Sequence, residues 1–179
     1  MKKTNKEVLE IFIRYLILVI APLGSLWIFY TIFTPLTVYP VYFLLSAIFE
    51  VSLVSNTIIL VNQTIPIEII EACVAGSAYY FLLILNLTTK GIKLKTRIKM
   101  ILGSFIIFLV INILRIIFLS VLAVRGSPFF DITHILFWYI ISTIFVVGIW
   151  FYQVKKFKIK QIPLYSDLKL LHGHTKNKK

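Results

Sequence analysis

Apolar residues run along this chain in four long stretches, at about 15–33, 70–87, 100–124 and 132–152, each bounded by charged or turn-forming residues. Wound into helices that rise about 1.5 Å per residue, such stretches approach the thickness of a hydrocarbon core of about 30 Å, so each predicts a transmembrane helix. Pro22 and Gly24 predict a kink in the first. Residues 34–55 are apolar again, though Pro35 and Pro40 break their start and Glu50 lies among them. With the amino end, the 90–99 loop and the tail all inside, this stretch must start and finish outside, which predicts an amphipathic helix on the outer face, the alternative being a full span with the amino end outside. In 56–70, β-branched residues flank the polar Asn62-Gln63-Thr64, and that pattern predicts a short β-hairpin or extended flap. The expected fold class is an all-α membrane bundle of about four transmembrane helices with an outer interfacial helix and a small flap. It forms a single integral-membrane domain over 1–179, of which 154–179 is a basic cytoplasmic tail.

Charge fixes the expected orientation. Seventeen of the nineteen Lys and Arg fall between Lys2 and Arg14, between Lys90 and Lys99, or between Lys155 and Lys179, leaving only Arg115 and Arg125. Basic residues mark cytoplasmic loops, so the amino end, the 90–99 loop and the carboxyl tail are expected inside, in a multi-pass cell-membrane protein. No small-residue cleavage site closes the first apolar run, which reads as an uncleaved span. The net charge of +12 sits beside the spans rather than on a separate basic face, an arrangement that argues against nucleic acid as a partner.

With one cysteine, an internal disulfide is excluded. That residue, Cys73, lies where the polar segment with Glu68 and Glu71 enters the second span, at the depth where water gives way to hydrocarbon. It is either one more small residue on a close-packed helix face or a reactive thiol. Arg115 lies about 22 Å from the inner end of the third span, well inside the membrane, where a guanidinium facing lipid costs several kcal/mol. It should therefore face the bundle interior, and Asn112, three residues earlier on the same face, could orient it. His134 opens the fourth span, and Asp131 is placed to cap that helix or to hydrogen-bond the imidazole. One Cys, one Arg and one His are thus expected at similar depth on three successive spans. Such a trio suits acyl transfer: Arg115 would favour the thiolate and bind an oxyanion, while His134 would serve as general acid and then base. No metal is expected, because one Cys and one nearby His match no common ligand spacing; His172 and His174 belong to the tail.

Ala72-Cys73 with nearby Gly76, the block Asn112-Ile113-Leu114-Arg115-Ile116, and His134 at the start of the last span resemble, in order, the motifs of the exosortase/archaeosortase family. The resemblance covers roughly 34–150. It implies a membrane-embedded cysteine protease and transpeptidase (a thiol protease) with Cys73 as nucleophile, Arg115 as thiolate or oxyanion partner, and His134 as third catalytic residue, with no cofactor. The substrates it implies are exported proteins ending in a recognition motif, a transmembrane helix and a basic cluster. Cleavage before that helix is followed by transfer of the new carboxyl end, in archaeal systems to a membrane lipid. Many members have Ser then Gly directly after the Cys, whereas this chain has Val74-Ala75-Gly76. The small size resembles compact archaeal-type members.

Two other readings of the same residues remain. A non-enzymatic transporter subunit or assembly module would use Arg115 for helix pairing or anion binding and leave Cys73 idle. A simple intramembrane hydrolase would use the same trio with water as acceptor.

Overall fold

The structure is a computed structural model that describes residues 3–23, 26–89 and 91–159, with side chains from Leu9 onward. The predicted kink residue Gly24, the basic residues Lys2 and Lys90, and the tail from Lys160 with His172 and His174 lie outside the described residues. The chain is mostly helical: α1 (Lys3–Ile20), α2 (Trp27–Ser46), α3 (Glu71–Val74), α4 (Gly76–Leu87), α5 (Leu94–Val124), α6 (Phe130–Leu136) and α7 (Ser142–Lys156). A π-helical turn, Phe137–Ile141, joins α6 to α7, and three short strands, β1 (Val51–Leu53), β2 (Ile58–Val61) and β3 (Ile65–Glu68), separate α2 from α3.

Among the described residues, three helices are long and apolar enough to cross a membrane: Trp27–Ser46, Leu94–Val124 and Phe130–Lys156. The segment Glu71–Leu87, expected as a full span, is shorter and is broken at Ala75. The first expected span is also displaced. Instead of one kinked helix over 15–33, α1 stops at Ile20 and α2 starts at Trp27, after Leu26 in the left-handed conformation (φ 63°). Pro22 explains the stop, because proline lacks the N–H that a continuing helix needs and disfavours helical backbone in the residue before it.

Nor does a separate helix cover 34–55. Thr34 to Ser46 is the larger, carboxy-terminal part of α2, which runs through Pro35 and Pro40. Prolines are tolerated in membrane helices where neighbouring groups take up the freed backbone. Here Val38, Val41 and Leu45 are buried in the core. The chain then turns into the sheet. The predicted flap is present as an antiparallel β2–β3 hairpin, with Val61 opposite Ile65 and left-handed backbone at Asn62 and Gln63; β1 adds a third strand on the other side of β2. Alternate residues of β2, Ile59 and Val61, point into the same core as Val38, Val41 and Leu45.

Contacts along α4, α5 and α7 fix an antiparallel arrangement. Asn86 meets Ser104 and Tyr79 meets Phe108, while Asn112 reaches Cys73; Gln153 meets Met100 and Ser142 meets Arg115. One face of α5 is exposed and apolar at every fourth residue (Leu102, Ile106, Val110, Leu114, Phe118), whereas Ser104, Asn112 and Arg115 are buried. Polar side chains inside and apolar ones outside suit a hydrocarbon surrounding. At the centre the Tyr79 ring stacks on Phe33, with ring centroids 3.7 Å apart, and takes Phe105 and Phe108 edge-on. At the end remote from Cys73, Arg97 donates to the carbonyls of Asn86, Leu87 and Thr89, and Arg14 to those of Leu87 and Thr89. Two arginines thus satisfy the last carbonyls of α4 and complement its dipole.

Candidate active site

Cys73 sits on the one-turn helix α3, and the chain bends two residues later where Ala75 takes left-handed backbone (φ 61°, ψ 46°). That bend interrupts the i to i+4 ladder: the Ala78 N–H turns to the Ala75 carbonyl instead of reaching back to Val74. The carbonyls of Cys73 and Val74 lose their helical donors, and buried backbone acceptors need replacements. Asn112 supplies them, its Nδ2 donating to the Cys73 carbonyl at 2.8 Å and to that of Val74 at 3.5 Å. This differs from the role expected for Asn112, which was to orient Arg115. The orphaned carbonyls of the bend lie opposite it on α5 and take its amide. Gly76, which starts α4, lies close against α2: a Cβ there would stand 2.7 Å from Cε1 of Tyr30, so that ring would have to shift.

Arg115 faces the interior, as its depth requires, and is only 7% exposed. Its Nη1 donates to Ser142 Oγ at 2.9 Å, and Ser142 Oγ–H donates in turn to the Phe137 carbonyl at 2.6 Å. Nε has no partner.

His134 lies on α6, half-buried between two aromatic neighbours, stacked on Phe130 and tilted against Trp138, at centroid distances of 5.6 and 5.9 Å. Asp131 plays neither part expected of it. The helix begins at Phe130, after Phe129 as cap, so Asp131 falls inside the first turn; it is exposed and makes no hydrogen bond to the imidazole. What remains to its carboxylate is the favourable field at a helix amino end.

Cys73, Arg115 and His134 line one cavity of about 210 Å³. Its other walls are the edge of β3 (Pro66 to Glu68), Ile69, Phe130 and the Ile116 to Ala123 face of α5. Glu68, which the sequence places only on the polar side of the boundary, brings a carboxylate to the rim. Arg115 also borders a second cavity of about 460 Å³, shared with Tyr30, Glu71, Ser77, Trp138 and Ser142. Sequence reasoning missed Ser142 altogether. The only available signal was a pair of hydroxyl residues, Ser142-Thr143, inside an apolar run.

A thiol, a guanidinium and an imidazole around one largely apolar cavity supply a nucleophile, a fixed positive charge and a group able to move a proton. Compared with known proteins, the chain matches no family model, no curated protein and no solved structure.

Proposed function

We propose that this chain is a membrane-embedded cysteine protease and transpeptidase of the kind its motifs resemble, the exosortase/archaeosortase family. The observation that carries the reading is that three chemically complementary side chains from α3, α5 and α6 line one cavity. In this reading the Cys73 thiolate attacks the scissile carbonyl of a carboxy-terminal sorting signal. Arg115 stabilises the thiolate and then the oxyanion of the tetrahedral intermediate, and His134 protonates the leaving amine. The resulting thioester at Cys73 is resolved by a nucleophile of a membrane lipid or another acceptor, with His134 taking its proton.

The departure from the family's Cys-Ser-Gly pattern falls on an instructive position. Glycine in that pattern aligns with Ala75, the residue that is left-handed here, so the backbone bend after the cysteine is one that glycine favours.

The topology that goes with this function has four crossings: α2, the bent α3–α4 segment, α5, and α6 with α7. The sheet and the Cys73 cavity then face outside, and both termini are cytoplasmic. At 17 residues the α3–α4 segment is about 25 Å long, slightly short of the hydrocarbon core, which suits a helix whose upper end opens into a wet cavity.

The test is to follow, in cells, a reporter ending in a sorting motif, a transmembrane helix and a basic cluster. Cys73→Ala and Cys73→Ser are expected to abolish its processing while the protein still accumulates in the membrane. Normal processing by either variant would end the proposal and favour the non-enzymatic module. Mass spectrometry of the product's new carboxyl end separates transfer from hydrolysis.

A further inference from the structure

Ser142 touches neither the thiol nor the Cys73 cavity, yet its hydroxyl has a specific geometry. The π-helical turn Phe137–Ile141 sends the Ser142 backbone N–H to the Phe137 carbonyl, and the Ser142 hydroxyl donates to that same carbonyl. With its single proton committed, the hydroxyl oxygen can only accept. What it accepts is the Nη1–H of Arg115, at 2.9 Å. Among the described residues no other side chain is hydrogen-bonded to this guanidinium, whose Nε stays unpaired.

The chemical nature of this acceptor matters. A carboxylate in the same place would hold Arg115 more tightly but would cancel its charge over the few ångströms that count. A hydroxyl fixes the guanidinium and leaves the charge available to a second group. The π turn is part of the device, because its extra residue rotates the start of α7 by about 100° relative to an unbroken helix. Ser142 is thereby turned toward α5. The adjacent Thr143 makes the ordinary bond to its own helix, to the Tyr139 carbonyl at 3.1 Å.

We infer that Ser142, presented by the π turn Phe137–Ile141, is a positioning residue that holds the Arg115 guanidinium in the wall of the Cys73 cavity without neutralising it. The inference rests on the reading that Arg115 acts on the Cys73 thiol. Its test needs no knowledge of the substrate, since Cys73 is the one thiol in the chain and its alkylation reports that atom alone.

The full-length protein in lipid nanodiscs is alkylated with iodoacetamide across neutral to alkaline pH, comparing wild type with Ser142→Ala, Ser142→Val, Ser142→Thr and Arg115→Met. Glu68 and His134, the other titratable groups lining the cavity with Arg115, are unchanged in the Ser142 variants. The Ala and Val variants are expected to react more slowly near neutrality, on the order of threefold to tenfold, with the profile displaced to higher pH toward that of Arg115→Met. The Thr variant is expected to overlay wild type. Because Thr and Val share a shape and differ by the hydroxyl, that pair decides the matter even if Ser142→Ala fails to fold.

A Val profile that overlays wild type while Arg115→Met is displaced would overturn the role of Ser142 and leave the catalytic reading of Arg115 standing. A Thr profile displaced as far as Val would overturn it too, by showing that packing matters rather than the hydroxyl. Should Arg115→Met itself overlay wild type, the positioning role and the activation of Cys73 by Arg115 fall together.

Discussion

His134 and Asp131 lie three residues apart on one helix, yet only the imidazole borders the thiol cavity. Their substitutions should separate accordingly. In the reporter assay, His134→Ala is expected to lower processing by about 10²–10⁴-fold, the usual worth of a general acid and base. Asp131→Asn should stay within about twofold, because the exposed carboxylate has no bond to the imidazole. Asn112 has a different task. Asn112→Ala would leave the Cys73 and Val74 carbonyls buried without a donor, at a cost of about 1–3 kcal/mol, measurable as a lower Tm in detergent. The inward placement of Arg115 is legible in the sequence, because a charge deep in an apolar run cannot face lipid without heavy cost. Ser142 is not legible. Hydroxyls in an apolar helix ordinarily bond their own backbone, as both Ser142 and Thr143 do, and nothing in the letters Ser-Thr distinguishes the one whose oxygen also accepts from Arg115.

The bend between α3 and α4 is the local structure on which the thiol depends. Ala75 is held in a backbone region that an L-residue enters at a cost of about 1–2 kcal/mol, so Ala75→Gly is expected to leave the thermal midpoint unchanged or slightly raised. Ala75→Val should lower it, with a stability loss of about 1–2 kcal/mol as β-branching worsens the strain. A midpoint that falls with Gly and holds with Val would contradict the left-handed assignment. Hydrophobic periodicity located the long helix α5 and the hairpin, since both stretches are long or strongly β-branched. The first helix long enough to cross lies at Trp27–Ser46 instead of 15–33, because the parity that puts 34–55 on the outer face presupposes a span at 15–33, and Pro35 and Pro40 do not end the helix as they would in water. In an apolar surrounding the alternative to a helix is worse, since unpaired backbone has no water to bond. Pro22 acts in the opposite sense and does stop α1, so proline by itself carried no usable information about which helix continues. Strand β1 spans three residues and could not be seen by any alternation rule.

With α2 as first crossing, the chain has an even number of passes in the proposed topology, and its two basic ends fall on one side without a special role for residues 34–55. Single cysteines placed in a Cys73→Ser background make this measurable. Gln63→Cys at the tip of the hairpin should react with a membrane-impermeant maleimide on intact cells, whereas Lys93→Cys, between α4 and α5, should react only after lysis. The reverse pattern would invert the protein and put the thiol cavity on the cytoplasmic side. Polar groups gather at both ends of the α4–α5 pair: Arg14 and Arg97 around the last carbonyls of α4, and Cys73, Asn112 and Arg115 at the bend. The apolar rings around Tyr79 lie between them.

The size of the thiol cavity limits what can occupy it as the chain stands. A space of about 210 Å³, open on one side, takes a side chain or two of a longer segment lying across its mouth. The rest of a strand delivered to Cys73 would lie outside the cavity, against its rim. The strand edge at Pro66 and Ile67, tethered through a hairpin tip with left-handed backbone at two successive residues, is the wall with least helix behind it.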